Sequence, residues 1–376
     1  MRNSRFLPVF AIFTALAISQ PVCASATGNW LDKLKSGLSW QPRPAPLRPT
    51  DLSYQFPREF KNQGNFGTCY FYGYVAGVEA AINRFYKPRS PIAIDEQAAL
   101  LTIENRITGP DSSHASMDGS VMKNHFVANA LALIRDGKVA GGDFDLLAAA
   151  PINFFTQPLL LAGLPLFTSG AYTGSALLRQ TRTAVNSIML RDWKSDWNRA
   201  DPFALIAQVE FLKKFNDIHN VTRTTLLRLQ QSTKPIPVSL NWLKVIEVPV
   251  GGRGCSSLDA MHFIADSLSK SVPLVTGLDI SGLEYAGSLS SNDFKMILPG
   301  SDHAPMNHMM VLIGAKRYAG RPYFVFRNSW GASAGIVRMP ISEMDRITDL
   351  EIFLNPKDDA PTTKCFSQAA SAIDYR

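Results

Sequence analysis

KNQGNFGTCYFYGYVAGVEAAINR, residues 61–84, is the segment from which the architecture of the chain can be inferred. Apolar side chains occupy nearly every helical face between Thr68 and Phe85, which predicts a helix buried on all sides. Cys69 lies at the N-terminal end of this helix. A cysteine in that position is either a small buried apolar residue or a nucleophile beside the positive end of a helix dipole.

The residues just before Cys69 favour the interpretation of this cysteine as a nucleophile. Gly64 and Gly67 allow the backbone to turn tightly and to approach a ligand closely. The side-chain amide of Gln63 and the backbone N–H of Cys69 together could hold a developing oxyanion. A helix N-terminus and a nearby imidazolium are expected to lower the pKa of the thiol, so that it reacts as a thiolate. Taken alone, a cysteine is more often a buried structural residue, so a base is needed.

The candidate base and its partner lie near the end of the chain. His308 begins the apolar run NHMMVLIGA, which predicts a strand. Asn328, in the later run YFVFRNSWG, can accept a hydrogen bond from the imidazole, and Trp330 can shield that bond from water. Each residue alone has an ordinary structural explanation. Together with Cys69 and Gln63 they supply a nucleophile, a base, an orienting group and an oxyanion donor.

Composition narrows the class of protein. The chain has 376 residues, of which 46% are hydrophobic and 18% charged, as expected for a globular protein with ample core. The formal net charge is +7, but the basic residues are scattered and nowhere denser than pairs such as Lys213 and Lys214. A nucleic-acid-binding protein concentrates such residues on one face, so we do not expect that function.

The N-terminus has the pattern of a secretory signal peptide. A basic start, residues 1–5, precedes an uncharged apolar run, residues 6–19, and the small residues around Ala26 offer a cleavage site. We expect cleavage after Ala26 and export to the periplasm or beyond the cell. The apolar run is too short to anchor the chain comfortably in a membrane.

The rest of the chain divides by pattern. We expect a proline-rich extension over residues 27–52, a helical region over 53–150, an insertion over 151–235, a β-rich region over 236–354 and a tail over 355–376. Within the helical region, the pattern over Ala93–Ile107 begins with Asp95 as N-cap. Helices followed by a sheet indicate the α+β class.

These motifs resemble those of the papain-like cysteine peptidases. The similarity covers residues 63–79 around the nucleophile, DEQAALL at residues 95–101, residues 308–314 and residues 328–331. The family signature around the nucleophile is C-G-[SA]-C-[WY], and this chain has F-G-T-C-Y at residues 66–70. The chain therefore lacks the first cysteine of the signature.

The resemblance implies a two-lobed fold, with the nucleophile on a helical lobe and the base on a β-sheet lobe. It implies that Cys69 is the nucleophile, His308 the base, Asn328 the orienting residue and Gln63 the oxyanion donor. It also implies that substrate binds near Gly119, Asn307 and Trp330, and that no metal or cofactor takes part. Since the first cysteine is absent, the usual disulfide beside the active site cannot form, which leaves Cys255 and Cys365 to pair.

Other histidines are weaker candidates for the base. The family has a glycine six residues after the catalytic histidine, and His308 has Gly314 there, whereas His303 has Met309. The remaining rivals lie in the helical region with no asparagine motif after them: His114 and His125.

The spacing between nucleophile and base departs from the family. His308 lies 239 residues after Cys69, where the family has about 130–150. We expect roughly 90 extra residues, mostly in the insertion, to cover the cleft. The prediction is a monomeric peptidase acting on peptides or proteins. The alternatives are an acyl-transfer enzyme using the same site, or a catalytically silent binding protein on a peptidase scaffold.

Overall fold

A single helix that begins at Cys69 organises the part of the chain that the structure describes. In the computed structural model this part comprises residues 47–63, 69–109, 166–168, 175–190, 205–238, 240, 242–251, 255–280, 283–286, 295–299, 307–318 and 320–361. All of these residues belong to one unit of the chain, Pro44–Arg376.

The described residues contain five α-helices and nine β-strands. The helices are α1 (Cys69–Tyr86), α2 (Glu96–Thr108), α3 (Ser175–Leu190), α4 (Leu205–Ser232) and α5 (Ser257–Ser269). The strands are β1 (Thr50–Asp51), β2 (Lys244–Pro249), β3 (Leu274–Asp279), β4 (Leu283–Ala286), β5 (Lys295–Pro299), β6 (Asn307–Tyr318), β7 (Arg321–Arg327), β8 (Ile336–Pro340) and β9 (Ile347–Leu354).

The strands form one mixed sheet in the order β2-β9-β3-β6-β7-β8-β5-β4, and β1 pairs with β6 beside this path. Among the described pairs, β5 and β8 run parallel and the others run antiparallel. Gly314 lies where β1 passes β6, and a Cβ there would come within 2.1 Å of the Thr50 carbonyl oxygen. A glycine is therefore needed where these two strands pair.

Helix α1 packs directly on the central strands of the sheet. Its residues from Tyr70 to Asn83 are buried without interruption, as the apolar pattern predicts. Two glycines, one turn apart, bring its backbone close to the sheet. A Cβ on Gly73 would lie 2.9 Å from Met309 Cγ, and one on Gly77 would lie 2.5 Å from the ring of Phe353. This close approach fixes where the N-terminus of α1 meets β6.

Helix α2 begins where the sequence predicts. The carboxylate of Asp95 accepts from the backbone N–H of Ala98 at 2.8 Å and so caps the helix. Helices α3 and α4 belong to the predicted insertion; α4 packs against α2, and α3 packs against α4. The amide of Asn105 in α2 donates to the carbonyl oxygen of His219 at 3.0 Å and to Thr222 Oγ1 at 2.9 Å, both in α4.

The α+β class is confirmed as a mixture of helices and mainly antiparallel sheet. Helix α5 departs from the sequence-based expectation, because the pattern after residue 236 predicts a β-rich region. The hydroxyl of Ser256 accepts from the backbone N–H of Asp259 at 3.1 Å and caps this helix. Within the described ranges, no helix is both long enough and apolar enough to cross a membrane.

Candidate active site

The first residue of α1, Cys69, lies against β6. It shares one face of the helix with Gly73 and Gly77, four and eight residues later, and that face is the one that approaches the sheet. The backbone N–H of Met309, the residue after His308, points at the thiol of Cys69. The fold therefore brings the thiol beside the strand that carries the predicted base.

The thiol is uncharged in this resting arrangement. Burial raises the pKa of Cys69 above its ordinary value, and the backbone N–H groups of Met309, Tyr70 and Cys69 itself oppose that rise without cancelling it. The sequence-based expectation of a lowered pKa was therefore wrong in direction. Helix N–H groups do act on the sulfur as expected, but the loss of solvent outweighs them.

His308 and Asn328 form a buried hydrogen-bonded pair. The distance from His308 Nε2 to Asn328 Oδ1 is 2.8 Å, and the two residues are 4% and 3% exposed. Asn328 Oδ1 also accepts from the backbone N–H of Ser329 at 2.8 Å, which identifies it as the oxygen of the amide. His308 must then donate from Nε2, so its Nδ1 keeps the lone pair that can take a proton.

The indole of Trp330 lies against the imidazole of His308. The ring centroids are 4.4 Å apart and the planes are inclined by 31°. This arrangement shields the His308–Asn328 hydrogen bond, as expected from the sequence. Burial lowers the pKa of His308, and the hydrogen bond to Asn328 partly opposes that effect. The base is therefore neutral and able to accept a proton at neutral pH.

Gln63 is held by Ser329, a residue that the sequence pattern did not single out. Ser329 Oγ donates to Gln63 Oε1 at 2.5 Å, and the backbone N–H of Gln63 donates to the Ser329 carbonyl oxygen at 2.8 Å. With Oε1 engaged in this way, the amide group of Gln63 is oriented as a donor. The signal in the sequence is the position of Ser329, directly after the orienting Asn328.

A buried charge cluster anchors the segment that carries Gln63. The ammonium group of Lys61 pairs with the carboxylates of Glu79 in α1 and Glu96 in α2. The Lys61 carbonyl oxygen accepts from the backbone N–H of Gly331 at 2.8 Å. Burial lowers the pKa of Lys61, while Glu79 opposes the shift. Lys61 therefore ties the segment before Gln63 to both helices and to the loop after Asn328.

The structure describes only some of the other predicted site residues. Asn307 is the first residue of β6 and pairs with Asp279 of β3. Cys69 is a free thiol, and Cys255 is buried and is not free. The remaining predicted positions lie outside the described residues: Gly119 and Cys365, together with the rival histidines His114, His125 and His303. The pairing of Cys255 with Cys365 thus stays a prediction, as does substrate binding at Gly119, Asn307 and Trp330.

In the part of the chain that the structure describes, no group of three or more histidine, cysteine, aspartate or glutamate side chains is arranged to hold a metal ion. The chemistry that these residues can carry out is nucleophilic. A neutral thiol lies beside the strand of a neutral imidazole, and Ser329 fixes the glutamine amide as a donor.

Comparison with known proteins adds distant likenesses of fold. No family model and no curated protein matches the chain. The chain is similar to the solved structure of digestive procathepsin L 3 from the larval midgut of Tenebrio molitor, at 14% identity and a TM-score of 0.36, over 84% of this chain and 73% of that one. It is also similar to PepW from Lactobacillus rhamnosis HN001, at 12% identity and a TM-score of 0.40, over 88% and 92% of the two chains. Likenesses this distant do not establish an activity.

Proposed function

We propose that the protein is an exported cysteine peptidase with a papain-like fold, which hydrolyses peptide bonds through a thioester intermediate. The observation that carries the proposal is the buried hydrogen bond between His308 Nε2 and Asn328 Oδ1. The strand that holds this histidine also turns a backbone N–H toward the thiol of Cys69. Export is proposed from the N-terminal sequence pattern alone.

Before the reaction, the thiol of Cys69 and the imidazole of His308 are both uncharged. As the Cys69 sulfur attacks the carbonyl carbon of the scissile bond, the thiol proton passes to Nδ1 of His308. The carbonyl oxygen becomes an oxyanion and is held by the Gln63 amide and the backbone N–H of Cys69. Asn328 keeps the imidazole in place and stabilises the imidazolium that forms.

The intermediate then breaks down in two steps. His308 gives its proton to the leaving amine, the carbon–nitrogen bond breaks, and the acyl group stays on Cys69 as a thioester. His308 next removes a proton from a water molecule that attacks the thioester. The carbon–sulfur bond breaks, the acid is released, and the thiol recovers its proton.

Substitution of each residue tests the assignment. Cys69→Ala should lower the hydrolysis of a peptide library by on the order of 10³-fold or more, since the covalent route is lost. An epoxysuccinyl reagent should label the wild-type protein once, at Cys69. His308→Ala should abolish hydrolysis, whereas the matched variant His303→Ala should retain it.

The outcomes discriminate between the functions considered. Full activity in Cys69→Ala, or labelling at another residue, would overturn the peptidase assignment. Transfer of the acyl group to an added amine in preference to water would assign the same site to acyl transfer. Labelling of Cys69 with no turnover of any peptide or ester would point to a silent peptidase scaffold.

A further inference from the structure

Three adjacent strands, β6, β3 and β9, lie between the thiol of Cys69 and the carboxylate of Asp349. Gly277 of β3 pairs with Met309 of β6 on one side and with Asp349 of β9 on the other. A Cβ on Gly277 would lie 2.6 Å from Asp349 Oδ2, so the carboxylate extends over the glycine toward β6. Neighbouring strands are about 5 Å apart, so the backbones of Asp349 and Met309 are separated by about 10 Å. One long side chain of a bound peptide can span that distance.

Two further carboxylates lie beside Asp349. Glu351 follows it by two residues on β9 and so points to the same face of the sheet. Glu247 of β2 is directly opposite Glu351 in the strand register. Glu351 is 2% exposed, and its Oε2 atom has no hydrogen-bond partner. Burial, together with the charges of Glu247 and Asp349, raises the pKa of Glu351 to about 8.

No positive charge compensates this cluster within the described residues. In that part of the chain, the carboxylate of Asp349 accepts from the hydroxyl of Thr348 at 2.7 Å, and none of the three acids belongs to an ion pair. The spacing of the acids in that same part of the chain does not suit a metal ion either. Glu351 therefore keeps its proton at neutral pH, and a bound organic cation would favour its ionised form.

We propose that Asp349, Glu351 and Glu247 bind a positively charged side chain of the substrate, lysine or arginine, while the scissile bond lies at Cys69. The absent side chain of Gly277 leaves room for the carboxylate of Asp349, which there faces the incoming cation. The proposal rests on the proposed peptidase function, and it names basic peptides as the substrate class.

The test separates binding at this cluster from hydrolysis. Peptidyl chloromethyl ketones that alkylate Cys69 are prepared in pairs, with lysine or uncharged norleucine at each of the three positions nearest the reactive group. At one position the lysine reagent should label the wild-type protein about 10- to 100-fold faster than its norleucine counterpart. Asp349→Asn should abolish most of that preference, and Glu351→Gln should reduce it. Both variants should react with iodoacetamide at the wild-type rate.

Asp359→Asn is the matched control, because it removes an exposed carboxylate just after β9. It should keep the preference for lysine. Equal labelling by the lysine and norleucine reagents at every position would overturn the inference, whether or not peptides are hydrolysed. An undiminished preference in Asp349→Asn would overturn it as well. Preferential lysine labelling without hydrolysis of any basic peptide would support the cation site and instead count against the proposed function.

Discussion

Replacing Glu351 with glutamine should stabilise the folded protein at neutral and alkaline pH. Glu351 is buried on β9 opposite Glu247, and its pKa is raised from 4.5 to about 8. In the unfolded chain the carboxyl loses its proton near its ordinary pKa. In the folded chain it keeps the proton up to about pH 8. Its contribution to stability is therefore complete below pH 4.5 and is lost as the pH rises toward 8.

The size of the effect follows from these two pKa values. For each pH unit over which only the folded state holds the proton, the free energy of unfolding falls by about 1.4 kcal/mol. Between pH 5 and pH 8 the wild-type protein should lose on the order of 3 kcal/mol of unfolding free energy through this group. Glutamine cannot ionise in either state and has nearly the same shape. Glu351→Gln should therefore not show that loss.

Urea unfolding at pH 5 and pH 8 measures this difference. All variants are made on a Cys69→Ala background, so that self-cleavage does not interfere. For each protein, the change in unfolding free energy between the two pH values is determined. This change is then compared between the parent protein and its Glu351→Gln variant, so that the contributions of the other titrating groups cancel. Asp359→Asn, which alters an exposed carboxylate, should behave like the parent protein. If the unfolding free energies of the Glu351→Gln variant and its parent change equally with pH, the prediction is wrong.

Four other expectations can be checked on the same protein. Gln63→Ala should lower turnover by about 10²–10³-fold through one lost oxyanion donor, while iodoacetamide still alkylates Cys69 quickly; an equal fall in both rates would mean that Gln63 supports the thiol. The alkylation rate of Cys69 should keep rising through alkaline pH, because burial raises the pKa of the thiol, and a plateau reached by pH 6 would contradict this. Gly77→Ala should destabilise the protein by about 1–3 kcal/mol in urea, because the added methyl group collides with a ring of β9; unchanged stability would show that the helix can shift. Peptide mapping without reductant should recover Cys255 linked to Cys365, and free thiols at both positions would exclude that bond.

Much of the local structure could be predicted because it depends on residues close together in sequence. The buried helix α1 follows from apolar residues on all its faces, and the start of α2 follows from the Asp95 cap. The choice of His308 over His303 used the glycine at position 314. In the structure that glycine lies where β1 pairs with β6, so a side chain there would collide with the backbone of Thr50.

The ionisation of the site could not be predicted in this way. A cysteine at a helix N-terminus suggests a lowered pKa, yet burial of Cys69 raises it. The burial of Cys69 depends on how closely α1 packs against β6, and residues of both elements set that distance. The contact of Gln63 with Ser329 joins segments that are distant in sequence, as do the ion pairs of Lys61 with Glu79 and Glu96. Such contacts could not be predicted, because the sequence pattern of polar residues does not identify their partners.

The α+β class, the central helix and the pairing of His308 with Asn328 follow from the amino-acid sequence alone. These depend on periodicity, on helix capping and on motifs of a few residues. That Asp349 and Glu351 lie beside Glu247 on neighbouring strands is a consequence of the tertiary structure. Strand order and register arise from packing over the whole sheet, and shifting β9 by a single residue would turn its carboxylates to the opposite face.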